Sequence, residues 1–346
     1  MLPKRATNAM RHLPPCGGGR EGGQPRPGFP VTLFILRRLL TFAATLFVAA
    51  LIIFILLDLL PGDPARFILG INASEASVAA LRTQMGLDAP AHERFFGWIA
   101  GMVRGDFGIS ATQRVAIGGL IAERMAVTLP LTMMAMVLSM LIGLPLGIVA
   151  AMRRGKPADT GLMILAQTGI AIPNFWFGML LTLVFAVALR WLPTGGFTPW
   201  HENPGAAFRG LILPGLALAL PQASILARVM RTALVDVTGQ DFIRTARAKG
   251  LTRSEAIWRH GLRNAFLPVL TILGLQFAFL IAGTIIVENV FYLPGLGRLI
   301  FTAVSERDLT LVRSATIVLV LAVTATMFIT DLLYTLVDPR LRRQNA

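Results

Sequence analysis

The chain has 346 residues, of which 55% are hydrophobic and only 14% are charged, and its formal net charge is +14. A charged fraction of about 25% is usual in soluble globular domains, so the composition argues against a soluble protein and for a membrane protein. The single cysteine, Cys16, excludes an internal disulfide and a metal cluster built from cysteines.

Apolar runs long enough to cross a bilayer, which takes about 20 residues, recur six times. The runs are continuously apolar and do not alternate, which favours helices over a β-barrel, because each span must satisfy its backbone hydrogen bonds internally. We therefore predict an all-α membrane protein with six transmembrane helices. The runs cover residues 39–60, 129–151, 161–189, 211–234, 265–286 and 311–333.

The placement of lysine and arginine predicts the orientation of these spans. With both termini in the cytoplasm, the inner segments hold 21 of the 32 basic residues. Short cytoplasmic loops are enriched in lysine and arginine, whereas a long segment such as 61–125 crosses with little regard to its charge. We predict that both termini are cytoplasmic.

The chain divides into five parts by composition. Residues 1–30 are rich in Gly, Pro and Arg without apolar periodicity, which predicts a disordered extension, one that an upstream choice of start codon would explain. Residues 31–60 form the first span, and 61–125 form an external, periplasmic domain of amphipathic segments. Residues 126–338 form a core of five helices, and 339–346 form a cytoplasmic tail.

Two features of the core leave alternatives open. Glu123 and Arg124 precede the second apolar run and fit either a helix that lies at the membrane interface or an extension of the second span. Prolines inside the spans are tolerated in membrane helices and permit kinks. These prolines are Pro173, Pro214, Pro221 and Pro268.

A dense basic stretch, "RTARAKGLTRSEAIWRHGLR" at residues 244–263, separates the fourth and fifth runs. "DFIRTARAKG" predicts a short helix that ends at Gly250, where glycine can adopt the left-handed conformation that closes a helix. Thr252 and Glu255 have the spacing of a capping box, so a second short helix is predicted to begin there.

The charge of this stretch allows three interpretations. Arg244 and Arg247 lie three residues apart on one helical face, and Arg259 and Arg263 lie four apart. Contact with anionic lipid explains the charge but not the glycine and the cap. DNA binding is disfavoured because an insert anchored at both ends in a membrane lacks a scaffold to present a recognition helix. A rigid docking element for a protein partner accounts for every feature.

The insert resembles the cytoplasmic EAA loop of permease subunits of bacterial ABC importers. Arg244, Thr245 and Ala246 stand at the Glu-Ala-Ala positions, and Gly250 matches the family's glycine. The departures from the general pattern, "RTARAKGL" and "RHGLRNAFLP", are similar to the branch that imports dipeptides, oligopeptides and nickel. From Val31 onward, further similar motifs follow in the family's order: "LLPGDPA", "GDFG", "GIAIPNFWFGMLL", "VENVFYLPGLGRL" and "DLLYTLVDPRLR".

This resemblance implies a type I ABC importer permease fold in the bacterial inner membrane. Residues 236–263 would be the coupling loop, whose short helix inserts into a groove on a cytosolic ATPase. The implied partners are a second related permease, two cytosolic ATPase subunits that use ATP and magnesium, an extracytoplasmic solute-binding protein and membrane lipid, with no nucleic acid. The residues implied in coupling are Arg244, Ala246, Arg247, Gly250, Leu251, Thr252, Glu255 and Arg259.

The sequence offers no sign of an enzyme. It lacks the pattern G-x-x-x-x-G-K-[ST] of a phosphate-binding loop, and "GLGRL" at 295–299 is short and lacks the lysine. ATP hydrolysis is therefore expected on other subunits, and no cofactor is expected on this chain. The four histidines lie outside the predicted spans without metal-ligand spacing, so neither a catalytic nor a metal site is expected.

Neutral polar residues inside the spans are the candidates for lining a translocation path. The spans lack ionisable residues in their interiors, since Asp58, Glu288 and Asp331 sit towards span ends with access to water. This argues against the alternative of an ion-coupled secondary transporter. A structural scaffold, which would show no transport, is a third hypothesis.

Polar groups seldom face lipid, so these residues indicate either helix–helix hydrogen bonds or the wall of an uncharged conduit. Dipeptides, longer peptides, glutathione and nickel chelates all remain open as substrates. The candidate path residues are Gln167, Thr168, Asn174, Gln222, Ser224 and Gln276.

Overall fold

The computed structural model describes residues 31–59, 63–70 and 72–337, so the segment predicted to be disordered and the predicted cytoplasmic tail lie outside the described residues. The described part is all-α, with one isolated β-bridge between Ile109 and Ala116. Two segments, Thr182–Ala188 and Ile257–Gly261, are π-helical. The α-helices are α1 (Val31–Asp58), α2 (Pro64–Leu69), α3 (Glu75–Gln84), α4 (Ala91–Val103), α5 (Ile117–Met152), α6 (Pro157–Ala171), α7 (Asn174–Leu181), α8 (Pro204–Thr238), α9 (Asp241–Ala248), α10 (Arg253–Ala256), α11 (Leu262–Val290), α12 (Leu296–Ser305) and α13 (Leu309–Val337).

Five of the described helical segments are long and apolar enough to cross a membrane, and a bent helix pair adds a sixth if it is counted as one span. The five are α1, α5, α8, α13 and the continuous segment from α10 to the end of α11. The second, fourth, fifth and sixth predicted runs fall inside one of them, and the first, 39–60, extends two residues past the end of α1. We call the end of the bundle that carries α9 and α10 the basic end, and the opposite end the far end.

The third predicted run, 161–189, is not one helix, and the expectation of a continuous span there was wrong. Helix α6 stops at Ala171, and α7 starts at Asn174 with its axis turned by 100°. Pro173 causes the break, because a residue before proline avoids the helical conformation and proline itself donates no backbone hydrogen bond. Ile172 is accordingly extended, with φ −81° and ψ 122°.

Helix α5 resolves the alternatives at its start in favour of an extended second span. It runs unbroken from Ile117 to Met152, so Glu123 and Arg124 belong to it and not to a separate interfacial helix. Two glycines four residues apart bring α5 against α8. An added Cβ at Gly147 would lie 2.5 Å from the Ala227 carbonyl oxygen, and one at Gly143 would overlap the Ala223 carbonyl. Small residues at this spacing let membrane helices approach closely.

The first and last spans pack on each other at the side of this core. Arg38 on α1 forms a 2.7 Å ion pair with Asp331 on α13. The rings of Phe42 and Phe328 lie 5.5 Å apart between the same two helices. The pair α1 and α13 therefore joins the two ends of the described chain.

At the far end, the segment between α4 and α5 is fastened to the start of α13. Ser110 donates a 2.6 Å hydrogen bond from its hydroxyl to the carboxylate of Asp308, which is fully buried. The same carboxylate accepts from the backbone N–H of Thr112 and, at the first turn of α13, from that of Leu311. Ser314 donates to the carbonyl of Phe107. These bonds fix the far end of the bundle.

Candidate functional site: a basic helix pair and the polar residues of the spans

Helix α9 buries one face and exposes its arginines. Ile243 and Ala246 are buried in an apolar cluster with residues of α8 and α11. Arg244 and Arg247, one position further along the chain in each case, are exposed. Residues three apart share a helical face, so Ile243 and Ala246 face the bundle together, and Arg244 and Arg247 face outward together.

The turn after α9 closes in the manner that the sequence predicts. Gly250 has φ +96°, a left-handed conformation that residues with a Cβ rarely adopt. Its N–H donates to the carbonyl of Arg247, and the N–H of Leu251 donates to that of Ala246. This pair of bonds is the Schellman motif, which satisfies the last carbonyls of a helix.

The second helix begins at the predicted capping box. The Thr252 hydroxyl accepts from the Glu255 N–H at 3.3 Å, and the Glu255 carboxylate accepts from the Thr252 N–H at 2.9 Å. Helix α10 is not a separate element, however. It passes through the π-helical turn Ile257–Gly261 directly into α11, so the helix pair is continuous with a membrane span. A π-helical turn inside a helix is frequent at functional positions.

The outward surface of the helix pair combines aromatic rings with positive charge. Phe242 is 37% exposed and Trp258 is 57% exposed, although both are large apolar side chains. Aromatic residues and arginine are enriched in protein interfaces, and they carry much of the binding energy there. We call these side chains, together with the exposed residues around Gly250, the coupling surface, after the role that the sequence predicts for them. Its members are Phe242, Arg244, Arg247, Gly250, Trp258 and Arg259.

An ion pair near the basic end connects α6 to α8. Asp159 is buried, and its two carboxylate oxygens accept from the guanidinium of Arg231 at 2.6 and 2.7 Å. It also accepts from the N–H of Gly155 in the preceding turn. A bidentate arginine–carboxylate pair is geometrically specific, so it sets how the first half of the broken span meets the helix that leads to α9.

The buried polar residues of the spans lie between helices. Gln276 on α11 donates a 2.9 Å hydrogen bond to the backbone carbonyl of Gln222 on α8, and both side chains are buried. Ser224 contacts α6 at Gly169, where an added Cβ would collide with its hydroxyl. The side-chain oxygens of Gln222 and Gln276 have no hydrogen-bond partner among the described residues. Helix–helix contact therefore uses only part of the polar capacity of this group.

The remaining candidates lie on the broken span, near a surface of the chain. Gln167 accepts a 3.1 Å hydrogen bond from Arg228 on α8, and both ends of this contact are exposed. The hydroxyl of Thr168 donates back to the Ile164 carbonyl of its own helix. Asn174 is half-buried at the start of α7. The six candidate residues thus separate into a buried group on α8 and α11 and a group on the broken span that is exposed or half-buried.

The structure corrects the sequence interpretation of Glu288. Its side chain lies on α11 and is fully buried, whereas the position near a span end suggested access to water. The carboxylate accepts from the Thr128 hydroxyl at 2.6 Å and from the Arg298 N–H at 3.0 Å. Residues 295–297, "GLG", surround this carboxylate, and a Cβ at Gly295 would collide with it. They are part of "GLGRL", the segment whose sequence rules out a phosphate-binding loop.

The described residues contain no group of three or more His, Cys, Asp or Glu side chains placed to hold a metal ion. What they do contain defines the class of protein. It is a multi-pass helical membrane protein in which an exposed basic helix pair continues into one of the spans.

Comparison with known proteins gives the family. Residues 143–343 match the model described as "Binding-protein-dependent transport system inner membrane component", and residues 31–132 match the model of the N-terminal part of such membrane components. The chain belongs to this family of inner-membrane permeases of ABC importers, which are transport proteins and not enzymes.

Relatives agree with this assignment, and a solved structure shares the fold. The glutathione transport system permease protein GsiC of Salmonella typhimurium is 42% identical over 309 residues, covering 89% of this chain and 98% of the relative. The GsiC protein of Escherichia coli K12 is 40% identical over the same length. A chain of the MetNI methionine ABC transporter in an inward-facing conformation has a similar fold, with a TM-score of 0.54 at 18% identity, covering 63% of this chain and 96% of that chain.

Proposed function

We propose that this permease imports short peptides or glutathione-like solutes and that the coupling surface docks on a cytosolic ATPase. The observation that carries the coupling role is the continuity of α10 with α11 through the π-helical turn. A force applied to the helix pair then acts on a membrane span without passing through a flexible loop. The basic end is cytoplasmic in this proposal, in keeping with its excess of lysine and arginine.

The coupling surface has the composition that such docking requires. Two exposed aromatic rings, Phe242 and Trp258, flank exposed arginines, and Gly250 leaves open space where a partner's backbone can approach. The buried side of α9, formed by Ile243 and Ala246, belongs to an apolar cluster that also contains residues of α8, of the π-helical turn and of α11. A displacement of the helix pair therefore reaches α11 through its continuity with α10, and it reaches α8 through packing in this cluster.

Alternating access follows from this connection. A loaded solute-binding protein docks on the extracytoplasmic end, two ATPase subunits bind ATP with magnesium and close, and the spans reopen on the cytoplasmic side. A second, related permease completes the path, because Gln167 and Thr168 on the broken span are exposed in a single chain. In this arrangement Gln167, Thr168 and Asn174 face the partner permease or the conduit, and Gln222, Ser224 and Gln276 stand behind them.

The substrate class rests on the relatives. Permeases 40–42% identical to this chain carry the name of glutathione transport systems. The pathway candidates are uncharged, which suits a conduit for solutes that a binding protein has already selected. Competition between labelled glutathione and unlabelled dipeptides for uptake by the reconstituted importer would determine the class.

The coupling role is tested by Gly250→Asp. We expect normal membrane insertion, loss of co-purifying ATPase subunits and loss of substrate-stimulated ATP hydrolysis, because the added side chain strains a left-handed turn and projects into the docking surface. Gly155→Asp is the matched control. Gly155 also has positive φ, at +78°, lies at the basic end and has open space around it.

Two results would contradict the proposal. If both variants co-purified the same amount of ATPase subunits, the helix pair would not be the docking site. Uptake that continues without ATPase subunits and collapses with an ionophore would instead indicate an ion-coupled carrier.

A further inference from the structure

Two cavities open at the far end of the bundle, where α1 ends and α13 begins. Their volumes are about 420 and 1000 Å³. Both are lined by Arg94, Thr310 and Arg313. They lie at the opposite end of the spans from the coupling surface, so their chemistry is independent of it.

Of the charged side chains that line the smaller cavity, all but Arg313 form ion pairs within the described residues. Arg82 pairs with Asp63 at 2.9 Å and with Asp88 at 3.3 Å, and Arg94 pairs with Asp58 at 2.8 Å. Within the described residues, Arg313 has neither a carboxylate partner nor a hydrogen-bond acceptor, and its Nε is buried. Three carboxylates thus pair with Arg82 and Arg94, and Arg313 is the guanidinium left without an ion pair among the described residues.

The surroundings of Arg313 position its charge without neutralising it. Its guanidinium carbon lies 4.9 Å from the centre of the Trp98 ring and 5.6 Å from that of Phe54. Aromatic faces attract a cation but accept no conventional hydrogen bond, so the N–H groups of the fork stay available. Arg313 is half-buried and its Nε is buried, and removing a charge from water without pairing it costs free energy.

A second donor lies at the same place. The indole Nε1 of Trp98 is also buried without a hydrogen-bond partner in the described part of the chain. Trp98 and Arg313 both line the larger cavity. Two unsatisfied donors, one of them charged, therefore meet beside a space large enough for a small molecule or a headgroup.

We infer that Arg313 and Trp98 form a binding site for an oxyanion, a carboxylate or a phosphate group. The planar guanidinium matches two oxygens of such a group, and the indole N–H supplies a further hydrogen bond. Because α1 and α13 leave the apolar part of the bundle here, the group can come from a soluble molecule or from a lipid headgroup. The inference does not depend on which solute the permease carries.

Tryptophan fluorescence of the full-length protein tests this site, because the Trp98 ring packs against the guanidinium of Arg313. The protein in neutral detergent is titrated with sodium acetate and with inorganic phosphate at constant ionic strength set by chloride. In a second arm it is placed in phosphatidylcholine nanodiscs with increasing phosphatidylglycerol. We expect a saturable change in emission that disappears in Trp98→Phe. The arm that responds identifies the source of the oxyanion.

Variants of a single arginine separate a built site from general attraction. Arg313→Gln should weaken the apparent affinity by about tenfold or more, because the charge and the fork are both lost. Arg313→Lys keeps the charge and should bind more weakly than the wild-type protein. Arg104→Gln, an equal loss of charge at an exposed position that lines neither cavity, should change nothing.

Folding of each variant is checked by its elution from size-exclusion chromatography. Absence of a saturable response of the wild-type protein to acetate, phosphate and phosphatidylglycerol alike would overturn the inference. An unchanged affinity in folded Arg313→Gln or Arg313→Lys would overturn it as well.

Discussion

The carboxylate of Glu288 on α11 accepts a 2.6 Å hydrogen bond from the hydroxyl of Thr128 on α5. The Thr128 hydroxyl also accepts from the N–H of Leu296 at 2.7 Å, and Glu288 accepts from the N–H of Arg298. Two spans are thereby joined to the start of α12 through one buried group. A carboxylate is favourable at this position because a helix N-terminus carries partial positive charge and unsatisfied N–H groups.

Removing the Thr128 hydroxyl should therefore destabilise the far end of the bundle. Thr128→Val keeps the shape but leaves the Leu296 N–H without an acceptor and Glu288 with one donor fewer, at a cost of about 1–3 kcal/mol for each unsatisfied group. Thermal unfolding in detergent should show a lower midpoint. Thr132→Val is the control, since the Thr132 hydroxyl is buried on the same helix but donates only to the Thr128 carbonyl. Equal midpoints for the two variants would contradict this role.

Close approach of α5 and α8 should make Gly147 intolerant of even a methyl group. An added Cβ would lie 2.8 Å from the Cβ of Met230 as well as against the Ala227 carbonyl. We expect Gly147→Ala to destabilise the protein by about 1–3 kcal/mol, the usual cost of overpacking. Gly119→Ala, on the same helix with nothing within 4 Å, should be neutral or stabilising. The measurement is the thermal midpoint, and a neutral Gly147→Ala would show that the helices can separate without cost.

The ion pair of Asp159 with Arg231 should show a measurable coupling energy. A double-mutant cycle with Asp159→Ala and Arg231→Ala isolates the interaction from the other effects of each change. Arg231 is 28% exposed, so solvent screens the pair and we expect about 1–3 kcal/mol, below the value for a fully buried pair. Unfolding midpoints in denaturant would supply the four free energies of unfolding. A coupling near zero would mean that α6 meets α8 through packing alone.

The segment after α1 should lose an ion pair in acid. Burial tends to raise the pKa of Asp63, but hydrogen bonds from Arg82 and from the Ala65 N–H outweigh it and hold the pKa below its usual value of 3.8. Because the folded-state pKa is the lower one, the stabilisation is complete above the usual pKa. It is lost as the pH falls through the lowered value.

Pepsin, which is active in acid, can report this loss. Cleavage of the wild-type protein in α2 and α3 should accelerate as the pH falls below the usual aspartate range, whereas Asp63→Asn should be cut quickly at every pH tested. Glu93→Gln, an exposed position on α4, should follow the wild-type profile. If Asp63→Asn showed the same dependence of cleavage rate on pH as the wild-type protein, the ion pair would not be the cause of the acceleration in acid.

Local interactions explain what could be read from the chain directly. The Schellman turn at Gly250 and the capping box of Thr252 and Glu255 are closed by residues no more than five apart, so their spacing in the sequence contains the geometry. Length and continuous hydrophobicity likewise predicted the long spans and the all-α class. The order of motifs from Val31 onward predicted the family.

Interactions between distant segments escaped prediction. Glu288 bonds to Thr128 over 160 positions of sequence separation, and nothing next to either residue signals the partner. The 100° break at Pro173 is larger than the kink that a proline in a span was expected to permit. The spacing of Gly143 and Gly147 indicates close helix packing, but it does not identify α8 as the helix they contact.

The sequence by itself determined the membrane class, the long apolar spans, the caps of the basic helix pair and the family, because each depends on composition, period or spacing within a few turns. Only the tertiary structure decided that α10 continues into α11, that the third span is broken, that Glu288 is buried and that Arg313 forms no ion pair with any of the described residues. Those features depend on which helices meet, and burial and charge pairing are properties of the packed bundle, not of any one segment.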